Sequence, residues 1–272
     1  MKKKLTIGAV VLAALILWLI WGNTALEVNS WVIEDGKIPQ AFDGFRIAQV
    51  SDLHNTPIWE DAVHALEESQ PDLIVLTGDL IDSRRTDVDA ALDFVRAAVK
   101  IAPCCYVSGN HESRIPQWEQ LRRGLMDAGV TVLEDETHTI VRDGESVTLL
   151  GLRDPAFGSN QGAILRELTA GEEGFLILLS HRPERLGLYA QYGIDLVFSG
   201  HAHGGQVRIP FVGGLIAPHQ GLFPDYDSGL YQMGETSMLL SRGVGNSILP
   251  LRVNNRPEII LAELKVSTGF LG

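Results

Sequence analysis

The chain of 272 residues has two cysteines, Cys104 and Cys105. They are adjacent in "IAPCCYVSG", a stretch with the pattern of a buried strand. Neighbouring strand residues point to opposite faces, so a bond between the two would be strained. The sequence therefore has no disulfide framework, and both cysteines read as small core residues. Aromatic residues are sparse too, at 7%. No low-complexity segment and no repeat of about 20–50 residues is visible, which removes solenoids and fibres. Basic charge is short as well, with 22 Lys and Arg against 34 Asp and Glu and a formal net charge of −12. Three of those bases, Lys2, Lys3 and Lys4, stand at the N-terminus ahead of any acid. An acidic body lacks the basic surface that displaces counterions, which argues against nucleic acid as a general partner. It does not remove nucleic acid as a substrate, because a bound dication changes the local field.

Long apolar runs are rare, and the one that stands out is N-terminal. In "MKKKLTIGAVVLAALILWLIWGN" the seventeen residues Leu5–Trp21 carry no charge. At about 1.5 Å per residue this is the short end of a bilayer span. Trp18 and Trp21 suit the interface belt. The reading is a retained membrane anchor over residues 1–23. A cleaved signal peptide and a buried helix are the alternatives. Only "NTALEV" offers a weak cleavage site, and no twin-arginine pair is present. Lysines before the run and Glu27, Glu34 and Asp35 after it favour a single-pass protein of the cell membrane with its body outside the cytoplasm.

Residues 24–44 read as a connecting segment with a first strand region, and residues 45–272 as one domain with no linker. The chain is 45% hydrophobic, enough for one substantial core. Apolar runs alternate with polar blocks and helix-like segments. "FRIAQV" and "DLIVLTGD" are strand-like, and "WEDAVHALEESQ" has helical spacing at Trp59, Val63 and Leu66 until Pro71 stops it. "TDVDAALDFVRAAVK" is a helix that Thr86 is expected to cap, and "IPQWEQLRRGLMDAG" a helix closed by Gly129. The second half has more and shorter strands, among them "SVTLLGLRD", "GFLILLSH", "DLVFSGHAH", "QVRIP", "SMLLSRG" and "EIILAELKV", with helices near 160–170 and 183–191. An α/β two-sheet sandwich with helices outside is the economical arrangement.

Five polar clusters follow apolar runs directly: Asp52-x-His54, Gly78-Asp79, Gly109-Asn110-His111-Glu112, Ser180-His181 and Gly200-His201-x-His203. Ligands of open α/β sheets bind outside the carboxyl ends of strands. Five of the eight histidines fall in these blocks. Asp52, His54, Asp79, Asn110, His181, His201 and His203 are oxygen and nitrogen donors without thiolate, suited to Mn, Fe or Zn. Seven donors are too many for one four-coordinate ion, whereas a bridging carboxylate lets two ions share them. The spacing of Asp52 with His54, and of His201 with His203, points each pair the same way while strand geometry persists, so each pair can chelate.

In this order, "SDLH…LTGDLID…SGNHE…LSH…SGHAHGG" resembles the calcineurin-like metallophosphoesterases from about residue 45 onward. "GGQ", "LSRGVGNSILPLRVNNRPEI" and the N-terminal anchor resemble the membrane-associated bacterial phosphodiesterase branch, which includes proteins similar to the diacylglucosamine pyrophosphatases. The resemblance implies a four-layer αββα fold and a binuclear centre, manganese being one candidate. It implies that Asp52, His54 and His203 hold the first metal, that Asp79 bridges, and that Asn110, His181 and His201 hold the second. It gives His111 the catalytic role of donating to the phosphate or protonating the leaving oxygen as a general acid. The implied activity is two-metal hydrolysis of a phosphodiester or pyrophosphate, on a lipid- or nucleotide-linked substrate such as UDP-diacylglucosamine. A broad phosphomonoesterase or protein phosphatase, or a non-catalytic metal- or phosphate-binding surface module, are the alternatives. No obligate protein partner is evident.

Other polar residues read more plainly. Asp82 suits a supporting or capping role and Glu112 a structural one. His64 reads as surface and His138 as a strand edge. His219, in "GLIAPHQGLF", sits on a stretch that could roof the site, and this stretch is where a lipid substrate predicts exposed apolar residues. Arg84, Arg85, Arg114, Arg153, Arg182, Arg208 and Arg242 lie near motifs, as phosphate clamps or as solvated ion pairs. The glycines around His201 and His203 are expected to leave room for a phosphate.

Overall fold

The structure, a computed structural model, describes residues 2–246 and 251–267. Residues 247–250 of "LSRGVGNSILPLRVNNRPEI" and the end of the 45–272 segment lie outside the described residues. Helix α1 (Lys2–Thr24) is followed by β1 (Glu27–Asp35) and β2 (Arg46–Val50). Then come α2 (Trp59–Ser69), β3 (Leu73–Thr77), α3 (Val88–Ala98), β4 (Cys104–Val107), α4 (Trp118–Asp127) and β5 (Thr131–Val132). Strands β6 (Glu136–Arg142) and β7 (Glu145–Gly151) precede α5 (Gln161–Leu168), β8 (Leu176–Leu179), α6 (Leu186–Gln191) and β9 (Leu196–Ser199). Four two-residue strands follow, β10 (Arg208–Ile209), β11 (Gly213–Gly214), β12 (Ile216–Ala217) and β13 (Gly221–Leu222). The last three are β14 (Gly229–Met233), β15 (Thr236–Leu240) and β16 (Glu258–Val266).

Two six-stranded sheets result, in the orders β1-β16-β2-β3-β4-β5 and β14-β15-β9-β8-β7-β6. In the first, β2 to β5 run parallel and β16 opposes β2. In the second, β7, β8, β9 and β15 are parallel, and β6 and β14 are antiparallel edges. The central parallel strands are buried along their whole length, because each is covered on both faces. Val75, Cys105, Ile177, Phe198 and Leu239 fill the space between the sheets. Leu66, Leu92, Phe94 and Leu121 seal the outer face of the first sheet, and Leu165, Leu186 and Tyr189 that of the second. The layers are therefore helix, sheet, sheet, helix. Cys104 packs outward and Cys105 inward, both free, as strand alternation requires.

Two local expectations change. Helix α3 begins at Val88, so Asp87 occupies the capping position and accepts from Ala90 N at 3.0 Å. Thr86 instead donates to Asp82 O at 3.3 Å. The stretch "QVRIP" yields only the short β10, which pairs with β11 outside both sheets. Segment 24–44 supplies β1, which pairs in parallel with β16 at the edge of the first sheet. Helix α1 is longer than the uncharged run required, and its stretch Thr6–Thr24 is long and apolar enough to cross a membrane.

Candidate metal centre

Strands β2, β3 and β4 of one sheet and β8 and β9 of the other end at the same rim of the sandwich, and the five polar blocks follow them there. Alternation does not deliver their side chains. Strand β2 stops at Val50 and β9 at Ser199, so the donors lie past the strands. Asp52, His54, Asp79, His201 and His203 instead take left-handed backbone, with φ of 49–71°. Asp and His tolerate that region better than branched residues do. Asp52 N–H still donates to Gly78 O and His54 N–H to Asp79 O, both at 3.0 Å, which locks the first two blocks together. His201 and His203 do not share one target: His201 Nδ1 lies 3.1 Å from His181 Nε2, and His203 Nε2 lies 3.3 Å from His54 Nε2.

Each carboxylate divides its oxygens between backbone and centre. Asp52 Oδ2 accepts from Ser51 Oγ at 2.6 Å and from His201 N at 3.0 Å. Its Oδ1 lies 3.3 Å from His203 Nε2 and has no hydrogen-bond partner. Asp79 Oδ1 accepts from His111 N at 2.8 Å. Its Oδ2 lies 3.2 Å from His181 Nε2 and 3.7 Å from His54 Nε2. Three buried groups of donors emerge, with Asp52, His54 and His203 in one, Asp79, His181 and His201 in another, and His54, Asp79 and His111 between. Asn110 Oδ1 is buried without a partner.

This donor set fits divalent cations. Ring nitrogens and carboxylate oxygens face one another at about van der Waals range with no hydrogen to share between several of them. His181 donates Nδ1–H to Thr77 O at 2.7 Å, which turns Nε2 toward the centre. Burial alone would push the Asp52 and Asp79 carboxyls up, but the neighbouring histidines hold both well below their ordinary range. Burial lowers His181, yet Asp79 and Asp52 raise it to about 10. His54 is also raised against its burial, whereas burial takes His203 down to about 3 and His201 well down. A proton on His181 thus helps balance two buried carboxylates, and a bound cation would displace it.

A cavity of about 280 Å³ opens onto the centre, lined by Asp79, Ser83, Arg84, Asn110, His111, Arg114, His201, His203, Pro218 and His219. Ser83 N–H donates to His111 Nδ1 at 2.9 Å. That bond fixes the proton of the neutral ring on Nε2, 4.0 Å from Asp79 Oδ2. Burial pulls His111 down to about 4, so it is neutral at pH 7. Asp82 holds Arg84 at 2.9 Å and lies 3.6 Å from His111 Nδ1. Glu112 accepts backbone N–H bonds from Asp79, Leu80 and Gly109 at 2.8–3.0 Å, and so shapes the Asp79 turn.

His219 Nδ1 stands 2.8 Å from His201 Nε2 and accepts from Arg182 Nη1 at 2.8 Å. Arg182 in turn is bidentate to the fully buried Asp154, at 2.6 and 2.9 Å. No motif in the sequence marks Asp154, although it follows strand β7 as the other donors follow theirs. His64 is exposed beside Glu67 and Glu68, and His138 lies on edge strand β6; neither belongs to a group of donors. Arg208 and Arg242 are tied to Asp227 and Glu258, and Arg153 to Asp135. Arg114 lines the cavity with no ion pair among the described residues.

The glycines serve packing more than phosphate access. A Cβ on Gly200 would sit 2.5 Å from Asp52 Oδ2, so the Asp52 turn needs glycine there. Gly205, at φ 71°, packs against the backbone of Gly214. In "GLIAPHQGLF", Pro218 and His219 line the cavity while Ile216, Leu222 and Phe223 are exposed.

Residues 45–205 match the family model described as calcineurin-like phosphoesterase. The chain is 34% identical over 251 residues to the uncharacterized metallophosphoesterase YkuE of Bacillus subtilis, covering 88% of this chain and 86% of that protein. It is 31% identical to phosphodiesterase YaeI of Escherichia coli, covering 81% and 82%. A transmembrane protein with metallophosphoesterase domain from Danio rerio is 27% identical over 84% of this chain and 55% of its own length. Among solved structures, TT1561 of Thermus thermophilus superposes with a TM-score of 0.52 at 14% identity, over 74% of this chain and 91% of that one.

Proposed function

The chain belongs to the calcineurin-like phosphoesterase family, a hydrolase of phosphoester bonds with a dinuclear divalent metal centre, and from that premise we propose a membrane-anchored phosphodiesterase or pyrophosphatase that takes a lipid- or nucleotide-linked substrate at the bilayer surface. Asp52, His54 and His203 would hold one cation and Asn110, His181 and His201 the other, with Asp79 shared. The observation that carries this division is Asp79 Oδ2, which faces His181 on one side and His54 on the other. When bound, two such cations supply Lewis-acid polarisation of phosphoryl oxygens and acidify a water.

The remaining work falls to the chain. His111, held by Ser83 and neutral at pH 7, presents Nε2–H to the cavity. It donates a hydrogen bond to a phosphoryl or leaving oxygen as charge develops there. Arg84 and Arg114 at the mouth offer donors to the remaining phosphate oxygens. The cavity is small, so a phosphate and its nearest substituents enter while an acyl chain stays outside. Exposed Ile216, Leu222 and Phe223 beside the mouth support the lipid-linked class, the apolar α1 and the transmembrane relative support the anchor, and the YaeI likeness supports a phosphodiester substrate. The lysines in the first turn of α1 and the acids behind the helix support a body outside the cytoplasm.

The test is a metal-dependent screen. Protein loaded with Mn, Fe or Zn is assayed on bis-p-nitrophenyl phosphate, on its monoester and on UDP-diacylglucosamine, with Asp79→Ala as control. Diester or pyrophosphate turnover that vanishes in Asp79→Ala, with the fold kept, is expected. Turnover of the monoester alone would replace this reading with a phosphomonoesterase.

A further inference from the structure

Of the two hairpins after the "GGQ" block, the second brings His219 to the centre, while the first, at Arg208–Gly214, lines no part of its cavity. Among the described residues, the two together carry the largest group of exposed apolar side chains on the folded body. Phe211 is fully exposed at the tip between β10 and β11, and Val212 beside it is 61% exposed. Leu222 and Phe223 on the second hairpin are 66% and 60% exposed. In a chain of net charge −12, no acid occurs from Leu196 to Pro224. A patch of this kind marks a contact surface.

Its position says with what. Helix α1 is bolted to the body through residues 251–256: Asn23 Nδ2 donates to Arg252 O at 3.0 Å, and Arg252 N donates to Asn23 Oδ1 at 2.7 Å. Arg256 lies 4.7 Å over the Trp21 ring. Tryptophan and arginine at a helix end mark the level of the membrane interface. The same segment holds the first hairpin: Arg208 N donates to Val253 O at 2.9 Å and Asn254 Nδ2 to Arg208 O at 3.3 Å. Asn254 borders both the recess beside α1 and the recess beside Phe211. It also holds the metal-ligand block, because Asn255 Nδ2 donates to His203 O at 2.7 Å and Gln206 Nε2 to Leu251 O at 3.0 Å.

We propose that the hairpin at Arg208–Gly214 is a second membrane contact, which dips Phe211 and Val212 into the outer layer of the same bilayer that α1 spans. Amphipathic elements of this kind enter the headgroup and acyl boundary. With α1, the hairpin fixes the tilt of the body, and residues 251–256 transmit that tilt to the rim where His203 sits. The occupant is a lipid bilayer, and the inference rests on the anchor reading above.

The test uses the full chain in vesicles of phosphatidylethanolamine and phosphatidylglycerol. Single cysteines replacing Leu12, Phe211 or Val141 carry an environment-sensitive fluorophore, Cys104 and Cys105 being buried with thiols pushed to about 12 by burial. Val141 is 67% exposed on β6, the opposite edge of the second sheet from β14. Lipid-borne nitroxide is expected to quench the labels at 12 and 211 and to spare the label at 141. Quenching at 12 with none at 211 overturns the hairpin contact and keeps the anchor. Quenching at neither overturns both. Quenching at 211 without 12 keeps the contact and removes the span. As a second readout, F211S with V212S should lower turnover of a vesicle-borne phosphodiester at least about tenfold, because full burial of two apolar side chains would be worth more than about a hundredfold and the interface buries them only in part. Turnover of soluble bis-p-nitrophenyl phosphate should not change. Equal turnover of both by the variant and the parent would count against the contact.

Discussion

Replacing His111 separates two ways in which it could act. Its Nδ1 accepts from Ser83 N–H at 2.9 Å, and burial takes the ring down to about 4, so at pH 7 the group facing the cavity is a neutral Nε2–H. A neutral imidazole is a good hydrogen-bond donor and a poor proton donor. A hydrogen bond to a charged oxygen is worth about 1.5–3 kcal/mol, which at about 1.4 kcal/mol per decade is roughly a 10–150-fold rate loss in His111→Ala. Full general-acid catalysis would instead be worth about 10²–10⁴-fold and would grow as the leaving group worsens. The assay is kcat on a series of substituted phenyl phosphodiesters, with metal content measured alongside. Hydrogen bonding predicts a similar loss across the series and partial rescue in His111→Gln, whose amide nitrogen reaches the Nε2 position. A loss that steepens with poorer leaving groups, with no rescue by Gln, would refute the donor role and restore proton transfer. Full turnover in metal-loaded His111→Ala would remove both.

Two further outcomes follow from the buried charges. Removing Asp154 leaves Arg182 buried without its bidentate partner, so Asp154→Ala should cost about 3–5 kcal/mol; thermal unfolding checks this, and the double variant with Arg182→Met should recover part of the loss. Because the carboxylates hold the His181 proton up to about 10, a cation must displace it, so apparent affinity should rise with pH until about that value and level off above it. Calorimetry in buffers of different ionisation enthalpy should show proton release at pH 7, and pH-independent binding without release would contradict the assignment of His181.

The donors are legible because metal ligands are side chains and these sit where apolar runs stop. The runs themselves define the layers, since a strand covered on both faces reads as continuous apolar sequence. What the sequence hides is backbone. Alternation puts Asp52 with His54 for a reason that does not operate, because β2 ends at Val50 and left-handed turns do the aiming. For His201 and His203 the same rule implies one target where the turns give two. Thr86 and Asp87 both have the chemistry of a cap, and only the start of α3 at Val88 chooses between them. Gly200 reads as room for a ligand, but the neighbours it admits are the Ser51 hydroxyl and the Asp52 carboxylate, which lie just past the end of a strand of the other sheet.

Arg182 and Asp154 show the remaining gap most clearly. In sequence, Arg182 is one of seven arginines near motifs, and no spacing ties it to an acid on another strand. In the fold, β7 and β8 are parallel neighbours, so the residues just past their ends come within 2.6 Å. The clamp then reaches His219, which stands against the outer nitrogen of His201. A ligand histidine needs its second nitrogen held as much as its first. For His181 the holder is a backbone carbonyl, which every residue has and no sequence pattern marks. For His201 it is two side chains, His219 in the turn between β12 and β13 and Arg182 itself. Arg182 Nη1 lies 3.0 Å from the same nitrogen, and a carboxylate fixes this arginine from beneath. The donors can therefore be found by asking which polar residues follow apolar runs. Their supports are found only by asking which strand ends lie side by side.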